Sequence, residues 1–253
     1  MSKVLVERRG EITVVTINRP ERRNAVDAET ATLLRTAFEE FEGDDQARVA
    51  VMTGAGDTFC AGYDLHSVAA SPPPYDAHGP GPMGPTRMLL SKPVIAAVEG
   101  HAVAGGLELA LWCDLRVASS TAVFGVFCRR WGVPLIDGGT VRLPRVVGQG
   151  RALDMILTGR AVEADEALTM GLANRRASAG QALTEALSLA SVISAFPQMC
   201  MRADRLSAYQ QWDSEIDQAL RAEAVGGEAP LAAEGLRGAG RFSDGAGRSG
   251  RFE

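Results

Sequence analysis

A single acidic residue, Glu108, stands in a stretch of the sequence that is otherwise apolar. Its neighbours are Leu107, Leu109, Ala110, Leu111 and Trp112. A charged carboxylate is costly to bury in apolar surroundings, so an acid in this position is paired, protonated or chemically active. A carboxyl group that changes its protonation state can serve as a general acid or base.

Two turns of small residues offer backbone N–H groups to the same region. Residues 61–62 follow a predicted strand and loop, and residues 104–106 open the predicted helix that carries Glu108. Small residues let another molecule approach the backbone, and a helix N-terminus has unpaired N–H groups. One N–H from each turn, directed at one point, would form an oxyanion hole about one helical turn from Glu108. Close helix–strand packing with a paired Glu108 is the alternative that the spacing leaves open.

The elements that must position these groups are predicted from the apolar pattern. The run 94–98 is typical of a buried strand, a helix follows over about 105–113, and the next strand covers 114–119. Four further elements are predicted upstream: a hairpin of residues 4–8 and 12–18, a helix over 28–42 capped by Asp27, a strand over 48–53 and a short helix over 86–90.

The C-terminal third is predicted to be helical from residue 181, with breaks at Pro197 and at residues 226–227. Strands and helices alternate before that point, which indicates an α/β fold. We therefore expect a core over residues 1–195 and a helical region over 196–253.

Residues 70–85 are dense in proline and glycine and belong to no predicted element. A mobile lid over a site and a plain disordered surface loop are both consistent with this composition.

The composition excludes several classes of function. The chain has 253 residues, 46% of them hydrophobic, and a net charge of −5, which argues against nucleic acid or an anionic membrane as partner. Four cysteines without a CxxC spacing indicate reduced thiols in a cytoplasmic protein. No apolar run approaches the length of a membrane span or a secretory signal.

Cofactor motifs are equally scarce. The GxGxxG pattern at residues 245–250 follows no predicted strand and opens no predicted helix, so it does not indicate a dinucleotide site. The three histidines are scattered, and no metal site is expected.

Several motifs together resemble the crotonase superfamily, the enoyl-CoA hydratase/isomerase family. They are FCAGYDL at 59–65, KPVIAAVEGHAVAGGLELALWCDLRVAS at 92–119, GGTVRLPRVVG at 138–148, LTGR at 157–160 and EALTMGLAN at 166–174. The resemblance implies a spiral of β-β-α units followed by a helical C-terminal trimerisation region, with assembly into a homotrimer or hexamer.

The resemblance also implies roles for individual residues. The N–H groups of Ala61 and Gly105 would form the oxyanion hole for an acyl-CoA thioester, and Glu108 would be the first catalytic glutamate of hydratases. Coenzyme A would be part of the substrate, with no separate cofactor. Its groove would be lined by Arg23, Asn24, Ala25, Ala61, Asp64 and Leu65.

The sequence departs from the family at the second catalytic glutamate, where Cys128 stands four residues after Phe124. Asp137 is a candidate replacement, and the alternative is that it caps the next helix. The function expected is that of an enoyl-CoA hydratase. An isomerase or another CoA-ester reaction is the alternative, and a non-catalytic binding protein on the same fold is a third.

The residues after Cys128 also differ from those common in the family. Arg129, Arg130 and Trp131 would bind an acidic or aromatic acyl group, or would pair with surface acids.

Overall fold

The computed structural model describes residues 2–70 and 75–247. The strands are β1 (Val4–Arg9), β2 (Ile12–Ile17), β3 (Val49–Gly54), β4 (Val94–Val98), β5 (His101–Val103), β6 (Leu115–Ser119), β7 (Val123–Gly125), β8 (Ala161–Glu163) and β9 (Arg175–Ala177). The helices are α1 (Ala28–Gly43), α2 (Leu65–Ala70), α3 (Gly105–Trp112), α4 (Gly139–Val147), α5 (Gln149–Thr158), α6 (Ala164–Thr169), α7 (Ala182–Ala195), α8 (Gln198–Gln210), α9 (Ile216–Pro230) and α10 (Leu236–Ser243). The chain divides into two units, residues 1–193 and residues 194–253.

The larger sheet of the first unit has six strands in the order β1-β2-β3-β4-β6-β9. Strands β1 and β2 pair antiparallel and confirm the predicted hairpin, whereas the later neighbours pair parallel. Parallel neighbours need crossover connections, which usually contain helices. The predicted α/β class is therefore confirmed.

Both faces of this sheet are buried, which explains the unbroken apolar run at β4. Successive residues of a strand point to opposite faces. Val94, Ala96 and Val98 belong to the larger apolar core, together with residues of α1 and α3. Ile95 and Ala97 belong to a second cluster, which includes alanines of α7. A strand covered on both sides needs an apolar residue at every position.

A smaller sheet, β5-β7-β8, contains the second strands, β5 and β7, of two successive β-β-α units. In this repetition β4 is followed by β5 and α3, and β6 is followed by β7 and α4. Cys60, which follows β3, forms a parallel bridge with Ala102 of β5 and so occupies the corresponding place in an earlier unit. This bridge places residues 60–62 beside the entrance to α3.

Helix α3 is buried along its whole length. The Arg116 side chain binds the carbonyl oxygens at its C-terminal end. The last carbonyls of a helix have no partner within the helix. The Arg116 guanidinium donates to the carbonyl oxygens of Ala110 (3.2 Å), Cys113 (2.8 Å) and Leu172 (2.6 Å). A buried cation thereby fixes the helix that carries Glu108.

The prediction of a short helix over residues 86–90 is wrong. These residues form a turn followed by irregular chain, because side chains bind the backbone oxygens that a helix would use. The Arg142 guanidinium donates to the Thr86 carbonyl (2.7 Å), and the Trp112 indole donates to the Met88 carbonyl (2.9 Å).

The sequence also missed one helix and predicted one break that does not exist. Helix α2 was missed, since six residues are too few to display a helical period. The break expected at residues 226–227 is wrong, because α9 continues through both glycines. Glycine lowers helix stability by about 1 kcal/mol without forbidding a helix, and α9 packs against α8. The break at Pro197 is confirmed between α7 and α8.

The second unit contains α8, α9, a π-helical turn over Leu231–Gly235 and α10. The domain boundary predicted after residue 195 and the trimerisation role stay predictions. Within the described ranges, no helix is both long and apolar enough to cross a membrane. In the GxGxxG pattern, residues 248–250 lie outside the described residues, as do residues 71–74 of the proline-rich segment.

We expect Arg116→Met to lower the free energy of unfolding by about 3 kcal/mol, because it leaves three buried carbonyls without their cation. Thermal and urea unfolding measure the loss. Arg35→Met, at a half-exposed position of α1, is the matched control and should change stability by about 0.5 kcal/mol or less. Equal stability of the two variants would contradict the role given to Arg116.

Candidate active site

Backbone hydrogen bonds hold the two small-residue turns side by side. The Cys60 N–H donates to the His101 carbonyl (2.9 Å), and the Val103 N–H donates to the Cys60 carbonyl (3.1 Å). Gly62 has φ +99°, and a Cβ there would lie 3.0 Å from the Gly105 nitrogen. Only glycine allows this approach without strain. The structure thus brings together the two turns that lie some forty residues apart in the sequence.

The two N–H groups proposed for an oxyanion hole differ in their partners. Gly105 is the first residue of α3, and no hydrogen-bond acceptor for its N–H is present among the described residues. The Ala61 N–H donates to the carbonyl of Arg23 (3.0 Å). The first donor is therefore available to a ligand, and the second must exchange or share its partner.

Glu108 is 2% exposed and is paired with backbone N–H groups. Its Oε1 accepts hydrogen bonds from the N–H groups of Asp137 (2.9 Å) and Gly139 (2.8 Å). Burial raises the pKa of Glu108 to about 7, and the two N–H groups oppose this shift only in part. Both protonation states of the carboxyl are thus populated near neutral pH.

Asp137 is 3% exposed and shares the pocket with Glu108. Its Oδ1 accepts hydrogen bonds from the Met83 N–H (3.0 Å) and the Thr86 hydroxyl. Burial raises the pKa of this carboxyl as well. The interpretation of Asp137 as a helix cap is wrong, because Gly138 is the N-cap of α4 and no side chain caps that helix.

Cys128 lies in the 3₁₀ helix Phe127–Trp131 and lines the same pocket. Burial raises the pKa of its thiol, and the charge of Glu108 raises it further. The thiol is therefore neutral at pH 7. Cys128 therefore supplies no negative charge to the pocket at pH 7.

Residues 81–86 cover the entrance to α3. Met83 is 1% exposed, and a Cβ on Gly105 would lie 2.6 Å from its sulfur. Arg142 donates to the carbonyls of Asp137 (3.0 Å) and Thr86 (2.7 Å), which ties the cover to the loop before α4. The surface-loop interpretation is wrong for these residues, and movement as a lid stays a prediction.

A pocket of about 930 Å³ joins these groups to the residues expected to bind coenzyme A. Five of the six predicted groove residues line it: Arg23, Ala25, Ala61, Asp64 and Leu65. The Asn24 side chain is instead buried and donates to the carbonyls of Ala55 (2.9 Å) and Thr58 (2.6 Å). Asn24 thus does not line the groove, and its side chain instead binds the backbone of residues 55–58.

Sequence analysis missed Arg19, which connects two walls of this groove. Its guanidinium donates to the Asp64 carboxylate (3.0 Å) and the Ala25 carbonyl, and lies 3.1 Å from the Asp27 carboxylate. The cluster of guanidinium groups at residues 19–23 was the available signal, but it does not show which arginine turns inward.

A model of the family described as enoyl-CoA hydratase/isomerase matches residues 7–232. Enoyl-CoA hydratase EchA19 of Mycobacterium tuberculosis is 43% identical over 206 residues, which cover 79% of this chain and 77% of that protein. Short-chain-enoyl-CoA hydratase of Clostridium acetobutylicum is 35% identical over 229 residues, 88% and 87% of the two chains. A crystal structure of enoyl-CoA hydratase from Mycobacterium tuberculosis H37Rv has a TM-score of 0.89 at 35% identity and covers 96% of both chains.

The raised pKa of Glu108 predicts a pH-dependent loss of stability. A proton bound more tightly in the folded state stabilises the fold below the ordinary pKa of 4.5, and this contribution is lost as pH rises through about 7. Relative to Glu108→Gln, the wild-type free energy of unfolding should therefore fall by about 3 kcal/mol between pH 4.5 and pH 8. Urea unfolding of both proteins across this range measures the difference, and a constant difference would contradict the raised pKa.

Proposed function

Because the chain belongs to the enoyl-CoA hydratase/isomerase family, we propose that it catalyses the reversible addition of water to the C2–C3 double bond of a 2-enoyl-CoA thioester. The crotonase fold expected from the sequence is confirmed by the solved relative. Coenzyme A takes part as a portion of the substrate, so we propose no separate cofactor.

The environment of Glu108 is the observation that carries this proposal. A carboxyl with a pKa of about 7 can take a proton from water and return a proton at neutral pH. Its Oε1 is held by the N–H groups of Asp137 and Gly139, so its position is defined before substrate binds. In the hydration direction Glu108 removes a proton from water as the hydroxyl group adds to C3, and the protonated carboxyl of Asp137, the second group proposed below, gives a proton to C2. Glu108 then loses its proton to solvent and Asp137 regains one, which restores the site.

The thioester oxygen gains negative charge as the hydroxyl group adds to C3, and the Gly105 N–H is the proposed primary donor to it. This N–H lies at the N-terminus of α3, where the helix dipole adds positive potential. The Ala61 N–H is the proposed second donor, once the thioester oxygen shares or replaces the Arg23 carbonyl as its acceptor.

Asp137 is the proposed second carboxyl of the site, in place of the absent glutamate. Its side chain lines the pocket, and the charges of Glu108 and Asp137 interact, since Asp137 contributes to the raised pKa of Glu108. Cys128 is also at the site, but a thiol held neutral by burial is a weak base at pH 7.

The coenzyme A portion is proposed to occupy the groove between residues 23–25 and residues 61–65. We also propose a cytoplasmic enzyme that assembles as a homotrimer or hexamer through the second unit. Apolar side chains exposed on that unit, such as Ile216 and Leu220, support a role in assembly.

Glu108→Gln should reduce kcat for hydration of crotonyl-CoA by about 10²–10⁴-fold with little change in KM, because the variant keeps the shape but not the proton transfer. Loss of absorbance from the conjugated thioester measures the rate. Glu40→Gln, at an exposed position of α1, is the matched control and should retain wild-type activity.

Other outcomes point to other functions. Hydratase activity that Glu108→Gln retains would overturn the proposed mechanism. Inactivity on every 2-enoyl-CoA, together with conversion of 3-enoyl-CoA to 2-enoyl-CoA, would favour an isomerase. Binding of acyl-CoA without turnover would favour a binding protein.

Comparison of Asp137→Asn with Cys128→Ala separates the two candidates for the second group. We expect Asp137→Asn to lower kcat by about 10²-fold or more and Cys128→Ala to lower it by less than about threefold. Both variants should be compared with the wild type by thermal unfolding, because Asp137 also binds Met83 and Thr86. A larger loss of kcat for Cys128→Ala would reverse the assignment.

A further inference from the structure

One wall of the pocket is built from residues 127–136 and adjoins Glu108. This wall lies next to the Glu108 carboxyl. The Asp137 N–H, at the end of the wall, donates to Glu108, and the charge of Glu108 raises the pKa of the Cys128 thiol. The side chains that it presents to the pocket are almost all apolar: Phe127, Cys128, Trp131, Val133, Pro134 and Ile136. We call this set the acyl wall.

The ring of Phe127 is held in a fixed position. A Cβ on Gly125 would lie 2.3 Å from its Cε1, so the absent side chain of Gly125 makes room for the ring. The guanidinium carbon of Arg130 lies 4.3 Å from the ring centroid, a cation–π contact. A ring fixed before binding loses little conformational freedom when a ligand packs on it.

Trp131 lines the same pocket and is 71% exposed. A tryptophan at a pocket edge offers a large flat surface on which a second ring can stack or pack edge to face. Phe127 and Trp131 are four residues apart in one 3₁₀ helix, so the acyl wall carries two aromatic rings from a single element.

The two arginines between these rings do not provide an anion site in the pocket. Arg129 donates to the Ile156 carbonyl (3.1 Å), and Arg130 donates to the Gly159 carbonyl (3.3 Å) while it contacts Phe127. Neither is among the described residues that line the pocket. Of the two acyl groups that the sequence left open, acidic and aromatic, the structure favours the aromatic one.

Resting on the proposed function, we propose that Phe127 and Trp131 select 2-enoyl-CoA substrates whose acyl group carries a ring at C3 over short straight chains. The neutral Cys128 thiol belongs to the same apolar surface. A ring on the acyl group would bury apolar area against both aromatic side chains, whereas a four-carbon chain would leave them exposed to water.

The direct test measures binding without turnover. The saturated esters 3-phenylpropanoyl-CoA and butanoyl-CoA are titrated into the full-length protein by calorimetry. We expect the ring-bearing ester to bind at least about 10-fold more tightly, which corresponds to about 1.4 kcal/mol from ring contact and apolar burial. A preference below about threefold would overturn the proposal.

Variants locate the source of the preference. Phe127→Leu keeps an apolar side chain and removes the ring, and it should lower the affinity ratio at least threefold, whereas Phe127→Tyr should preserve it. Trp131→Ala removes the second ring, and because Trp131 is exposed the substitution should leave the fold intact. Phe242→Leu, an exposed phenylalanine of α10, is the matched control. An unchanged ratio in both Phe127→Leu and Trp131→Ala would overturn the proposal.

A kinetic measurement distinguishes failure of this inference from failure of the proposed function. It follows dehydration of 3-hydroxy-3-phenylpropanoyl-CoA and of 3-hydroxybutanoyl-CoA, the direction in which a ring conjugated with the new double bond favours the product. Turnover of both esters with equal kcat/KM would leave the hydratase in place and overturn the ring preference. Absence of both binding and turnover would overturn the two proposals together.

Discussion

The pairing of the buried Glu108 carboxyl with two backbone N–H groups is the interaction on which the rest of the site depends. It joins α3 to the loop before α4 without a cation, so the carboxyl is positioned while its pKa stays close to neutrality. A lysine or arginine in the same place would hold the group ionised and remove its capacity to exchange a proton. The backbone geometry around it must then be exact. Gly139 approaches so closely that a Cβ there would lie 3.0 Å from the Glu108 carboxyl.

Three arginines support that geometry by binding backbone and carboxylate oxygens; Arg116 and Arg19 are buried and Arg142 is half-buried. Arg116 binds carbonyls at the end of α3, Arg142 joins the loop before α4 to the cover over Gly105, and Arg19 joins two walls of the proposed coenzyme A groove. Each guanidinium offers five donors in a planar arrangement and so connects several oxygen atoms at once. Arg142 and Arg19 thereby fix irregular segments of the chain at the edge of the pocket, where no helix or sheet pairs the backbone.

The sequence predicted the elements with a strong local signal and missed those that depend on distant contacts. The apolar run of β4, the hairpin and the Asp27 cap of α1 were all read from neighbouring residues. The candidate site residues Ala61, Gly105 and Glu108 were predicted from small-residue turns, an isolated acid and family motifs. The partners of these residues could not be read in this way: the Met83 and Thr86 bonds to Asp137 span more than fifty positions, and the turn at residues 86–90 exists because of Arg142 and Trp112.

The hydrogen bond from the Ala61 N–H to the Arg23 carbonyl has a consequence for how charge is recognised in the proposed reaction. A neutral thioester oxygen that replaces a neutral carbonyl on this N–H gains almost nothing, because one bond of ordinary strength is exchanged for another. Once the thioester becomes an enolate, its oxygen is charged, and charge-assisted hydrogen bonds are roughly twice as strong. An internal competitor of this kind therefore cancels much of the donor's attraction for the resting substrate and leaves its attraction for the intermediate.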